Sequence, residues 1–263
     1  MKNILDKIVA HKHGEVAERE KSRSVQDLER TPMFAREALS LKSFLTMPGR
    51  NGIIAEFKRQ SPSKGVINAT ATVTGVTTAY ARNGASGLSV LTDTEFFGGS
   101  MDDLQQARAA NNIPVLRKDF VIGEYQIVEA KAIGADVILL IAECLTKEEV
   151  KHLAQFAHNL GLEVLLEVHT ADQLDKITPH THLVGINNRD LKTFQVDIYR
   201  SMELLKQIPD SYPKVAESGM DDPKTIVQLR NAGFSGFLIG EHFMKSEDPA
   251  QAFASFTRQL AEL

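Results

Sequence analysis

From residue 51 onward the chain repeats one pattern: a short run rich in Val, Ile and Leu, then a polar segment whose apolar residues recur at helical spacing. The runs are IIAEFK (53–58), GLSVLTD (87–93), IPVLRKD (113–119), ADVILLIA (135–142), LEVLLEVH (162–169), HLVGINN (182–188), KVAES (214–218) and GFLIG (236–240). Near-continuous apolar runs belong to strands covered on both faces, as in parallel sheets. Between them, Val73, Val76, Thr77 and Tyr80 follow a helical period, as do Val150, Leu153, Ala154 and Ala157. Strand–helix alternation marks βα units. Eight units in about 210 residues fit an α/β fold of the closed (β/α)8 barrel type better than an open doubly wound sheet. The open sheet would also carry GxGxxG after its first strand, whereas the first strand here runs into KRQSPSKG.

Residues 1–48 lie outside this rhythm and read as a helical extension packed on a barrel of residues 49–263, with no linker between them. Leu5, Ile8 and Val9 recur at helical spacing, and Thr31-Pro32 reads as a helix start before Phe34, Ala38, Leu39 and Leu41. A sharper reading has this extension also covering a binding site. The charge balance, 30 Lys+Arg against 34 Asp+Glu, has no basic face and argues against a nucleic-acid partner. No apolar stretch reaches the roughly 18 residues of a membrane span, and the first twenty residues hold no signal-peptide core. Cys144 is the only cysteine, which excludes an intramolecular disulfide and suits a reducing compartment. The expectation is a cytoplasmic monomer without membrane contact.

Polar residues sit at the C-terminal ends of the apolar runs, where barrels of this type carry their chemistry. They are Glu56 and Lys58, Lys118, Glu167, Asn187 and Arg189, and Glu217. Residues two apart share a face of a strand, so Glu56 and Lys58 point the same way, as do Asn187 and Arg189. One such residue is ordinarily a solvated loop side chain. Five strand ends together imply charges converging on the barrel mouth, where they must neutralise one another and can serve acid–base work.

Ser218-Gly219 closes the seventh run, and Gly240 closes the eighth before Glu241-His242-Phe243-Met244, a short helix start. Loops seven and eight with a helix N-terminus form the recurring phosphate cradle of such barrels. The loop RQSPSKGV brings Ser61 and Ser63 to the mouth and could close over an anionic substrate. His169, close behind Glu167, is read as facing the opposite way, in a structural role or one that supports a site residue. Glu163, His180 and His182 belong to the opposite, stability end of the barrel. Cys144 could line the mouth, although nothing adjacent would activate it. His11 and His13 are poorly spaced for a metal, and no set of residues has convincing metal spacing.

In order, IIAEFKRQSPSKG, SVLTDTEFFGGSMDDL, PVLRKDF, LLEVH, GINNRDL, ESG and LIGEHFM closely resemble the indole-3-glycerol-phosphate synthase family of tryptophan biosynthesis. The resemblance spans essentially the whole chain, including the N-terminal extension. It implies a carboxy-lyase that converts a small phosphorylated substrate, 1-(2-carboxyphenylamino)-1-deoxyribulose 5-phosphate, to indole-3-glycerol phosphate, CO2 and water, with no cofactor and no metal. It implies Lys118 as the general acid on the ketone oxygen, Glu167 as general base, and Glu56 with Lys58 in ring closure and dehydration. Lys118 is assigned to closure and Lys58 to dehydration. Asn187 would orient the substrate with Arg189 as its motif partner, Glu217 and Ser218 would bind it, and Ser61 would lie over the anthranilate part. Gly219, Gly240 and the N–H of Glu241 would hold phosphate. A lysine close to other cations and partly desolvated should have a lowered pKa.

Two positions depart from the family pattern. Gln60 stands where many relatives are basic, and Glu241 where many have Ser; its carboxylate would repel phosphate unless it turns away. Other phosphosugar barrels, such as phosphoribosylanthranilate isomerase or the tryptophan synthase α chain, lack the extension and use different acid–base residues. A non-catalytic phosphate-binding barrel would not need Lys118, Glu167 and Glu56.

Overall fold

In a computed structural model, which describes residues 4–189 and 195–263, eight parallel strands close into a barrel. They are β1 (Ile53–Phe57), β2 (Gly87–Leu91), β3 (Val115–Lys118), β4 (Val137–Ile141), β5 (Glu163–Val168), β6 (Leu183–Asn187), β7 (Lys214–Glu217) and β8 (Gly236–Ile239). Each pairs with its sequence neighbours, and β1 closes the ring against β8 with Ile53 opposite Phe237. Residues 1–3 and 190–194, including the last two positions of GINNRDL, lie outside the described residues.

Side-chain alternation divides the strand residues between two cores. Ile53, Ala55 and Phe57 face outward and share a cluster with Val73, Val76 and Tyr80 of α4 (Val73–Arg82) and Val150, Leu153 and Ala154 of the helix Lys147–Asn159. Ile54, Leu116, Leu165, Leu183, Val215 and Leu238 form the inner cluster. The next residues of the same parity, two positions on, are Glu56, Lys118, Glu167, Gly185, Glu217 and Gly240. The barrel axis is therefore apolar below and charged above, within single strands.

Among the described residues three helices precede β1: α1 (Ile4–Ser22), α2 (Val25–Glu29) and α3 (Leu41–Thr46). Leu41 and Leu45 of α3 join the inner cluster from the bottom. They fit against glycines at strand starts: a Cβ on Gly87 would lie 2.6 Å from Leu41, and one on Gly236 2.9 Å from Leu45. Glu163, opening β5, accepts from Ser40 Oγ at 2.5 Å and Lys42 N at 3.0 Å, at the start of α3. Asp136, just before β4, accepts from Arg36, Leu39 N, Arg108 and Val115 N at 2.6–2.8 Å. Leu5 and Ile8 of α1 join the same inner cluster; both line the cavity at the charged end.

Two details differ from the sequence expectation. Thr31-Pro32 does not start a helix: Phe34 N bonds Thr31 O and Arg36 N bonds Met33 O as turns, while Thr31 Oγ1 donates back to Leu28 O. The next helix begins ten residues later, where Ser40 Oγ accepts from Ser43 N as an N-cap. After β5 the connection is a 3-10 helix, Ala171–Lys176, in place of an α-helix. No helix among the described residues is long and apolar enough to cross a membrane.

Candidate active site

The charged end of the barrel opens into a cavity of about 460 Å³. Its lining contains Glu56, Lys58, Ser61, Lys118, Glu167, Asn187, Arg189, Glu217, Ser218, Gly219, Gly240 and Glu241. Ile4, Leu5 and Ile8 from α1 and the rings of Phe97 and Phe120 form an apolar wall of the same cavity.

Lys118 stands between two carboxylates, with Nζ 3.1 Å from Glu167 Oε2 and 2.9 Å from Glu217 Oε2. An ammonium has three donors, so one remains for a ligand. Asn187 Nδ2 donates to Glu167 Oε1 at 3.0 Å, and Asn187 Oδ1 accepts the Arg189 amide at 3.0 Å. Glu56 forms the second pair: its Oε1 is 3.0 Å from Lys58 Nζ, and its Oε2 accepts from Ser89 Oγ at 3.1 Å.

The lowered lysine pKa expected from sequence is overturned. Burial alone would depress Lys118, but Glu167, Glu217 and Glu56 outweigh it and raise it well above its ordinary value. The neighbours are carboxylates, not cations, so Lys118 is an ammonium at neutral pH. Burial would raise Glu167, yet Lys118, His169 and Asn187 hold it well below the usual carboxylate range. Glu217 goes the other way: burial, with Glu167 and Glu56 adding to it, outweighs Lys118 and pushes it up to about 7. Three groups in van der Waals reach thus hold their protons with very different affinities, the condition for dividing acid and base roles.

The facing of His169 is a second correction, while its contact with Glu167 fits the supporting role expected for it. His169 lies two residues past Glu167 and shares its face; its Nε2 is 3.0 Å from Glu167 Oε1. Burial opposes its charge, but Glu167 outweighs burial and raises it. Cys144 does not line the cavity; burial pushes its thiol up to about 12, so it is no nucleophile at neutral pH.

Two glycines act differently from what turn chemistry alone suggests. A Cβ on Gly185 would lie 2.3 Å from Glu217 Oε1, and one on Gly240 2.6 Å from Glu56 Oε1. Their missing side chains make room for inward carboxylates. Gly185 was legible only as a gap in an apolar run, since its use depends on a neighbouring strand. Ser89, directly opposite Glu56 in the β1–β2 register, gave a similarly faint signal as the lone hydroxyl in GLSVL.

At the other end of the cavity, Ser218 and Gly219 are both left-handed, with φ 69° and 74°. Asn188 Nδ2 holds the Ser218 carbonyl at 2.8 Å, and a Cβ on Gly219 would collide with Val196 at 2.1 Å. Ser218 is the one non-glycine residue with positive φ among the described residues; such backbone costs about 1–2 kcal/mol and clusters at functional sites. The Glu241 carboxylate is drawn to cations, 3.4 Å from Arg189 and 3.9 Å from Lys64. Gln60 donates to Glu95 O at 3.3 Å, and Arg59 beside it makes a bidentate pair with Asp103 at 2.5 and 2.8 Å. Among the described residues no group of three His, Cys, Asp or Glu is placed to hold a metal.

The sequence profile of the family described as Indole-3-glycerol phosphate synthase matches residues 5–256. Indole-3-glycerol phosphate synthase of Bacteroides thetaiotaomicron is 45% identical over 260 residues, covering 99% of this chain and 100% of the relative. The protein of the same name from a Polaromonas species is 43% identical over 258 residues, covering 97% and 98%. Among solved structures, tryptophan synthase subunit alpha from Legionella pneumophila superposes with a TM-score of 0.62 at 14% identity, over 84% of this chain and 95% of that one. That likeness concerns the barrel fold alone.

Proposed function

This chain belongs to the indole-3-glycerol phosphate synthase family, and on that premise we propose that Lys118 is the general acid and Glu167 the general base of its ring-closing reaction. The enzyme is a carboxy-lyase of tryptophan biosynthesis. The reading rests above all on the Lys118 ammonium held between Glu167 and Glu217 at the floor of a half-apolar cavity.

The ring carbon bearing the carboxylate attacks the ketone carbon of 1-(2-carboxyphenylamino)-1-deoxyribulose 5-phosphate, forming the new carbon–carbon bond. Negative charge builds on the ketone oxygen, which takes its proton from Lys118. CO2 leaves, and the electron pair of its bond returns to the ring. Dehydration then removes the new hydroxyl as water with a proton from Lys58, while a base takes a proton from the adjacent methylene, completing the indole. Glu167 is ionised at neutral pH and so is able to accept that proton, and Glu56 holds Lys58 at 3.0 Å. Asn187 keeps Glu167 oriented; Glu217 and Ser218 meet the substrate hydroxyls; Arg189 lies at the same rim; Ser61 borders the aromatic part beside the α1 wall. The backbone at Gly219, Gly240 and Glu241 takes the phosphate, with the Glu241 carboxylate offset by Arg189 and Lys64.

The extension of residues 1–48 and the barrel of residues 49–263 act as one domain in this reading, supported by the buried ion pairs that α1 makes with the barrel. A cytoplasmic monomer is its working form, as suits a chain in which large exposed apolar side chains such as Val66 and Tyr199 are scattered singly.

The test is direct because the chain contains no Trp: indole product fluorescence is read without a tryptophan contribution from the protein. On mixing with the carboxyphenylamino substrate, the signal is expected to grow at a rate unchanged by excess chelator. A signal that requires added metal would contradict this acid–base mechanism. A second expectation concerns Gly185→Ala. The added methyl displaces Glu217 from beside Lys118, so kcat/KM should fall about tenfold and stability by about 1–3 kcal/mol, as for overpacked cores. An unchanged kcat/KM would mean that the Glu217–Lys118 contact plays no part in turnover.

A further inference from the structure

We propose that Lys12 is a positioning residue that fixes helix α1, and with it the apolar wall of the cavity, to the ends of β2 and β3. Lys12 is fully buried one helical turn beyond Ile8, on the face that bears Leu5 and Ile8. Its Nζ lies 2.8 Å from Asp93 Oδ2, 3.0 Å from Asp119 Oδ1 and 2.8 Å from Glu15 Oε2. Asp93 follows β2 and its Oδ1 accepts the Phe96 amide at 2.8 Å, at the start of the turn carrying Phe97. Asp119 directly follows Lys118, and its Oδ1 accepts the Phe120 amide at 2.8 Å. One ammonium thus ties α1 to the two turns that supply the Phe97 and Phe120 rings, whose centroids are 5.9 Å apart.

Asp119 is braced from behind by Thr92 Oγ1 at 2.6 Å and Arg117 at 3.1 Å. Arg117, wholly buried, also reaches Glu129 at 3.3 Å, and Glu129 takes Arg19 of α1 at 2.9 Å. Arg19 is seven residues, two turns, beyond Lys12, so α1 is held at two points on one face. A buried lysine between two aspartates is an expensive way to attach a helix when apolar contacts would suffice. Its distinctive yield is geometric: without the ammonium, Asp93 and Asp119 repel, and the aromatic turns and α1 move apart.

The inference rests on the proposed reaction for its kinetic readout, and hydrogen exchange gives a readout that does not. Lys12→Met and Lys12→Arg, each alone and with Ile8→Ala, are compared with wild type for kcat and KM on the carboxyphenylamino substrate and for exchange across residues 4–22 without substrate. Folded Lys12→Met is expected to exchange about tenfold faster there and to raise KM about tenfold, with kcat within about threefold; Lys12→Arg recovers most of both. Because the wall is already unseated, Ile8→Ala adds less than about twofold to KM in Lys12→Met, against several-fold in wild type. Should Lys12→Met not fold, Asp93→Asn, which leaves Arg117 on Asp119, carries the same comparison. KM and exchange within twofold of wild type, loss of kcat at constant KM, or an equal Ile8→Ala penalty in both backgrounds overturns the proposal. If wild type does not turn over the substrate, the reaction assigned above fails, and the exchange data alone decide the role of Lys12.

Discussion

Lys118→Ala should lower kcat by at least about a hundredfold, the loss typical of removing a general acid, while the protein stays folded. Steady-state kinetics and thermal unfolding check the two halves of this expectation. The catalytic half follows from position: Lys118 Nζ sits between Glu167 and Glu217 with a donor left for the ketone oxygen, and alanine offers none. The structural half follows from charge. Without the ammonium two buried carboxylates face each other, but Glu217, already raised to about 7 by burial and its neighbours, takes up a proton and relieves the repulsion. The inner apolar cluster below does not involve Lys118. A drop in kcat under threefold would reject Lys118 as the acid.

Asp136→Ala should have the opposite profile: a large loss of stability with kcat nearly intact. Asp136 is fully buried and accepts from Arg36 at 2.6 Å, Arg108 at 2.8 Å, Leu39 N at 2.8 Å and Val115 N at 2.7 Å. Removing the carboxylate leaves the buried Arg108 charge without its counter-ion, although Ile113 O and Asn111 O still accept from it, leaves two backbone donors without their acceptor, and frees the segment before α3 from the barrel. Breaking a buried pair from one side costs about 3–5 kcal/mol, which for a chain of this size lowers Tm by roughly 6–20 °C. The residue lies at the strand-start end, away from the cavity lining. A shift in Tm below about 2 °C would show that water or a rearranged Arg36 replaces the carboxylate at little cost.

Much of the barrel was readable because its strands are buried on both faces, so each apolar run stands out as an unbroken block. The eight barrel strands fall inside the eight predicted runs; IIAEFK contains Ile53–Phe57 and LEVLLEVH contains Glu163–Val168, whereas the short hairpin of Gln60–Ser61 with Gly65–Val66 lies outside them. Glu56, Lys118, Glu167 and Glu217 were legible as charges at the ends of such runs, where only a barrel mouth accommodates them. The helix start at Thr31-Pro32 was misread, because a Thr that closes the preceding helix through Leu28 O looks the same in sequence as one that opens the next.

What the amino-acid order determined alone was periodicity, and periodicity carries fold and facing: eight strands, their alternation, and charge at the ends of five of them. Tertiary structure decided which charges meet. Lys118 pairs with residues 49 and 99 positions away, and those carboxylates turn an expected low lysine pKa into a raised one. Gly185 takes its meaning from Glu217 on the neighbouring strand, and Lys12 from Asp93 and Asp119 at the ends of β2 and β3. Proton affinity and steric room depend on distances of a few ångströms between side chains, and the chain specifies those distances only once it has closed on itself.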